Sequence, residues 1–132
     1  MNVIRFFQLR RDPVGLGPPW IGTDVFVDDA LVGGEGAGPD PRTMLEQLRA
    51  ELPAAIQMRI CGCGHSGCWS LATTARRERA EVVWDDWRDG VEDDEAGFPS
   101  TPVGRPRLHF RARQYAAAVD RLEREWQELN AK

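Results

Sequence analysis

Cys61, Cys63 and Cys68 are the only cysteines of the chain, and His65 stands among them in the run Cys61-Gly62-Cys63-Gly64-His65-Ser66-Gly67-Cys68. Thiolate sulfur and imidazole nitrogen are the ligands of tetrahedral zinc, with Zn–S bonds of about 2.3 Å, so four such groups within eight residues point first to a Zn2+ site. Zinc knuckles use two separate C-x-x-C pairs, whereas this is one C-x-C-x-x-x-x-C cluster. The fourth ligand is therefore His65 or the chain's other histidine, His109. The same thiols also suit redox chemistry. Cys61 or Cys63 would attack, Cys68 would resolve, and Arg59 would lower the attacking thiol's pKa. A third reading is inert: glycines serve a turn, and cysteines fill small sites beneath a loop.

The elements that must position these groups are two strands. Ile56-Gln57-Met58-Arg59-Ile60 alternates apolar and polar residues, and so does Trp69-Ser70-Leu71-Ala72-Thr73-Thr74, as half-buried strands do. With Gly64-His65-Ser66-Gly67 as the turn, Cys63 faces Cys68 and Cys61 faces Ser70. Residues two apart share a face. Met58, Ile60, Trp69 and Leu71 then point to the core, and Arg59, Cys61, Cys63, Cys68 and Ser70 to the opposite side. A third strand with Val82, Trp84 and Trp87 follows a charged turn, Ala75 to Arg79, and brings Trp69, Trp84 and Trp87 close together.

Residues 2–10 read as a strand, and 22–28 as another with Thr23, Val25 and Val27 on one face. Gly33, Gly34, Gly36, Gly38 and Pro39 read as a surface loop. Asp40-Pro41 is a helix start, with aspartate as cap and proline at the first helical position. Met44, Leu45, Leu48 and Leu52 follow at helical spacing, and Pro53 ends the segment. A second helix covers 113–129 with the stripe Tyr115, Val119, Leu122, Trp126 and Leu129. It offers the surface pairs Arg121–Glu125 and Arg124–Glu128. The stretch 88–104 reads as a long loop. Together these predict an α+β fold, an antiparallel sheet of about five or six strands with two helices packed on it, as one domain over 1–132.

The net charge of −4 disfavours a nucleic-acid binder, which needs a positive footprint. Seven carboxylates, Asp85, Asp86, Asp89, Glu92, Asp93, Asp94 and Glu95, crowd one stretch against the single Arg88, and Arg105, Arg107, Arg111 and Arg113 follow. Beyond a solvated loop, the acidic run could dock another protein, as an immunity-type protein docks a basic partner. All basic residues but Lys132 are arginine, which excludes a lysine nucleophile from the body of the chain. No G-x-S-x-G, H-E-x-x-H or P-loop pattern occurs, so an enzyme is not the expectation. No run approaches the roughly 20 apolar residues of a membrane span, and the N-terminus lacks signal-peptide character. A cytoplasmic address is expected, where three thiols suit metal or redox chemistry better than disulfides.

The run Cys61 to Cys68, the pair Trp84-Asp85, and the stretch from Phe110 to Gln114-Tyr115 resemble a group of small actinobacterial proteins. That group shares a CGCG-x-x-GC hairpin, a β-segment ending in Trp-Asp, and an aromatic strand leading into a Gln-Tyr helix. The likeness covers roughly the C-terminal half. It implies the hairpin and the helix after the aromatic strand, and carries no established activity with it. The resulting expectation is a small non-enzymatic binding module with a cysteine-rich hairpin that holds zinc, a thiol redox protein being the alternative.

Overall fold

The computed structural model describes residues 1–11, 20–32, 38–60, 69–92 and 99–130. Within them the chain forms β1 (Ile4–Arg11), β2 (Trp20–Val27), β3 (Ala30–Leu31), α1 (Pro41–Leu48), β4 (Ala54–Ile60), β5 (Trp69–Glu78), β6 (Glu81–Glu92), β7 (Pro99–Pro102), β8 (Leu108–Arg111) and α2 (Ala112–Asn130). The fold is α+β. Its strands divide into two antiparallel sheets, β1-β2-β3 and β4-β5-β6-β7, with β8 also on β6.

Each helix forms for a local reason. Asp40 caps α1 by accepting the Thr43 N–H at 3.0 Å, and Pro41 fills the first turn. Met44, Leu45 and Leu48 are buried, and Leu52 packs half-buried beside them. On α2 the buried stripe is Tyr115, Val119 and Leu122, whereas Leu129 is exposed. Arg121 meets Glu125 at 2.9 Å as expected. Arg124 forms no ion pair with Glu128; it turns instead toward β1. Arg49 ties the helices together through Asp120 at 3.0 Å and Glu123 at 2.5 Å.

The β2–β3 turn is Asp28-Asp29, with φ of 52° and 65°. This mirror-image turn matches strand twist, and aspartate is one of the few non-glycine residues that enter it readily. Asp28 also fastens the start of β1. Its carboxylate accepts from the Asn2 side chain at 2.7 Å and from Val3 N–H at 2.8 Å. Those two donors hold its carboxyl below the usual carboxylate range.

Two expected connections are strands. Ala75 to Arg79 is not the turn: β5 continues to Glu78, with Ala75 opposite Trp84 and Arg77 opposite Val82. Arg76 and Arg77 lie on β5 itself, Arg76 bonding Glu78 at 3.0 Å and Asp85 at 2.8 Å, while Arg79, at φ 54°, belongs to the turn that follows. The stretch 88–104 likewise holds β6 residues to Glu92 and β7, which pair Arg88 with Pro102 and Asp89 with Thr101.

The two sheets meet at both edges. Asn2 N–H donates to His109 O at 2.8 Å, joining the start of β1 to β8. On the other side Thr23 N–H donates to Pro39 O at 2.8 Å, so the backbone at 38–39 lies between β2 and β4. Gly38 and Pro39 are therefore buried and not part of a surface loop. A β-carbon at Gly38 would overlap the Thr23 carbonyl, which is why glycine stands there.

The core draws on both sheets and both helices. Trp84, Phe110 and Tyr115 form its aromatic centre, with Trp84–Phe110 centroids 4.9 Å apart and Trp84–Tyr115 6.0 Å, all edge-on or tilted. Trp84 Nε1–H donates to the Tyr115 hydroxyl at 3.2 Å. Burial pushes the Tyr115 phenol's pKa up, so it stays protonated. Trp84, Phe110 and Tyr115 thus meet as packing groups.

Candidate functional site

The cysteine segment joins β4 to β5, and Cys61, Cys63, His65 and Cys68 themselves lie outside the described residues. What the structure places is its base. Ile60 pairs with Ser70 across the two strands. Ser70 therefore opposes Ile60 and not Cys61, one residue off the expected register. Below that pair β4 also carries a bulge. Gln57 pairs with Ala72 and Arg59 with Leu71, which leaves Met58 as the extra residue on β4.

The predicted split into a buried and an open face does not hold, since every residue of β4 from Ile56 to Ile60 is buried. Met58, Ile60 and Leu71 are buried as expected, but so are Arg59 and Ser70, both at 0% exposure. Arg59 Nη1 meets Asp24 Oδ1 of β2 at 2.7 Å, and its Nε donates to Val32 O at 2.9 Å. Its charge thus meets a carboxylate nearly as buried as itself. Trp69, expected in the core, is 40% exposed and pairs with the exposed Val91. Trp84 and Trp87 are the buried tryptophans, 6.4 Å apart edge to face.

His109 stands opposite Val83 near the start of β6, while Trp69, next to Cys68, stands opposite Val91 near its end. Eight strand residues separate the two positions, about 25 Å at the usual rise. His109 lies 3.4 Å from Glu81, and this separation along β6 favours His65 over His109 as the histidine candidate.

Of the acidic run, Asp85, Asp86 and Asp89 are described, Glu92 by its backbone alone, and Asp93, Asp94 and Glu95 lie outside the described residues. Asp85 faces Arg76 at 2.8 Å and Asp86 faces Arg88 at 3.1 Å. Both carboxylates are matched within the sheet, so these two add little net negative field. Asp86 sits at φ 53° where Thr73 has no direct partner, a second bulge, and Thr73 Oγ1 bonds Asp85 O at 2.8 Å across it. The strand ends carrying both segments are neighbours: Trp69 opposes Val91, and Glu92 opposes Pro99.

Among the described residues no three His, Cys, Asp or Glu side chains gather as a metal site. No described helix is long and apolar enough to cross a membrane. Comparison of the chain with protein-family models, with curated proteins and with solved structures finds no match.

Sequence reasoning passed over the Arg59–Asp24 pair. A signal for it existed: each charge interrupts its own otherwise apolar or hydroxyl-bearing strand, Asp24 between Thr23 and Val25, Arg59 between Met58 and Ile60. Opposite charges inside two buried strands must find one another or be excluded from the core.

Proposed function

We propose that the protein is a small non-enzymatic binding module whose β4–β5 connection holds one zinc ion through Cys61, Cys63, Cys68 and His65. The observation that supports this reading most is the pairing of Ile60 with Ser70. Directly opposed strand residues keep their α-carbons about 5 Å apart. Both ends of a connection that contains every cysteine of the chain are thereby held together, and ligands close in sequence need little further ordering to share one ion. Zinc bound there would fasten the connection and add its binding free energy to that of the fold. No residue pattern for a chemical step accompanies the thiols.

Metal analysis of the purified protein tests this, with about one zinc per chain expected. Chelation should lower the thermal midpoint, and Cys63→Ser should remove the metal and the chelator response together. Metal-free protein with a thiol alkylated rapidly near neutral pH would overturn the reading in favour of thiol redox chemistry. Metal-free protein with slow thiols would overturn it in favour of a structural connection.

A further inference from the structure

We propose that the open edge of β1, beside α2, is a groove that receives an extended acidic peptide as an added strand. The hydrogen-bond pattern sets the direction of the backbone. Val3 N–H donates to the Asp28 carboxylate, and Val3 O accepts from Asp28 N–H at 2.8 Å, so both Val3 groups face β2 and its turn. Backbone groups alternate in direction along a strand. Those of Ile4, Phe6 and Gln8 therefore point away from β2. Asn2 N–H, bonded to His109 O on that side, agrees with the alternation, as does Thr23 N–H on the far edge of β2.

Beyond Asn2, β1 pairs with no strand on this side among the described residues. What lies there is α2, standing off to leave a groove of about 450 Å³. Its helical wall is low because Ala117 and Ala118 occupy it, so a second backbone can approach. Gln8 spans to the helix beyond, donating to Leu122 O at 3.1 Å. A row of donors and acceptors with no strand partner among the described residues, beside a low wall of alanines, is the arrangement by which sheets accept peptide strands.

Charge selects the occupant. Arg5, Arg121 and Arg124 line the groove against one carboxylate, Glu125, which Arg121 already meets. Arg5 and Arg124 are exposed and have no ion-pair partner among the described residues. In a chain of net charge −4 this is a local positive surface. A second copy of the chain laid along the same edge would bring two sets of three arginines together, which like-charge repulsion opposes. A strand bearing carboxylates and small apolar residues satisfies both the arginines and the alanine wall.

The test uses a fluorescein-labelled eight-residue peptide of alternating glutamate and valine, titrated onto the intact protein by anisotropy. Saturable binding is expected, weakened at least tenfold in the double variant Arg5→Glu with Arg124→Glu and falling as salt rises. The same peptide N-methylated at alternate amides should lose binding, because it can no longer complete a ladder. Arg5 and Arg124 are exposed and form no ion pair among the described residues, so the variant should keep its fold, checked by an unchanged circular dichroism spectrum. No saturation up to about 1 mM peptide, a span worth only ~4 kcal/mol, would overturn the proposal. So would equal binding by the double variant or by the N-methylated peptide, or concentration-dependent dimerisation with no peptide bound. Zinc content is a separate readout, because none of the described residues lining the groove is one of the proposed zinc ligands.

Discussion

Tyr115 supplies the acceptor for a buried indole N–H, and this is a different task from filling space. Trp84 is 0% exposed, and the phenol oxygen 3.2 Å away is the partner of its Nε1–H. Removing one partner of a buried hydrogen bond leaves the other desolvated, at a cost of about 1–3 kcal/mol. Tyr115→Phe should therefore lower the unfolding free energy from urea titration by that amount, through a lower midpoint at an unchanged slope. Tyr115→Leu should cost more, since it also takes away ring contacts with Trp84 and Phe110. If the phenylalanine variant matched the parent protein, the hydroxyl contact would be energetically idle and packing alone would explain Tyr115.

The helices and the strands differ in how openly their sequences declared them. α1 and α2 follow from caps and a 3.6-residue period: α2 formed within a residue of both expected ends, and α1 began at Pro41 as expected but ended at Leu48, four residues before Leu52. Strands β4, β5 and β6 were visible by alternation, but their faces were not. A period of two loses its phase at each bulge, and nothing in Gln57-Met58-Arg59 or Asp85-Asp86-Trp87 announces one. Alternation also implies one open face, whereas every residue of β4 from Ile56 to Ile60 is buried, Arg59 among them. Likewise the glycines of 33–38 look uniform in sequence, although Gly38 is wedged against the Thr23 carbonyl. Gly38→Ala should accordingly be far more harmful than Gly104→Ala, where a β-carbon meets nothing within 4 Å. Overpacking costs of about 1–3 kcal/mol are typical, and a clash with fixed backbone belongs at or above the top of that range. Thermal melts of the two variants decide the matter; equal midpoints would show that the 38–39 segment can shift without cost.

Across the molecule as a whole, the two sheets are held at one margin by the backbone bond of Asn2 to His109, and at the other by Thr23 to Pro39 together with the Arg59–Asp24 pair. Arg59 reaches from β4 to two places on the first sheet, the Asp24 carboxylate and the Val32 carbonyl. Direction matters more here than net strength. A buried pair gives up so much hydration that replacing both members with apolar groups is often neutral, whereas deleting one strands the other, at about 3–5 kcal/mol. Arg59→Met should thus destabilise severely, and Asp24→Leu should do the same. The double variant should recover a large part of the loss, giving a coupling energy of several kcal/mol in a double-mutant cycle. Recovery would mean that the pair chooses which strand faces which, without being the main source of stability. Additive losses would mean instead that Arg59 acts mainly through Val32 O and its own packed stem, and that the seam between the sheets does not depend on the charge of Asp24. Because Ile60 follows Arg59 directly, the cycle also reaches the base of the cysteine connection. Zinc content measured in the same four proteins should follow their stability if that connection depends on the seam, and should stay constant if the Ile60–Ser70 pairing suffices to hold it.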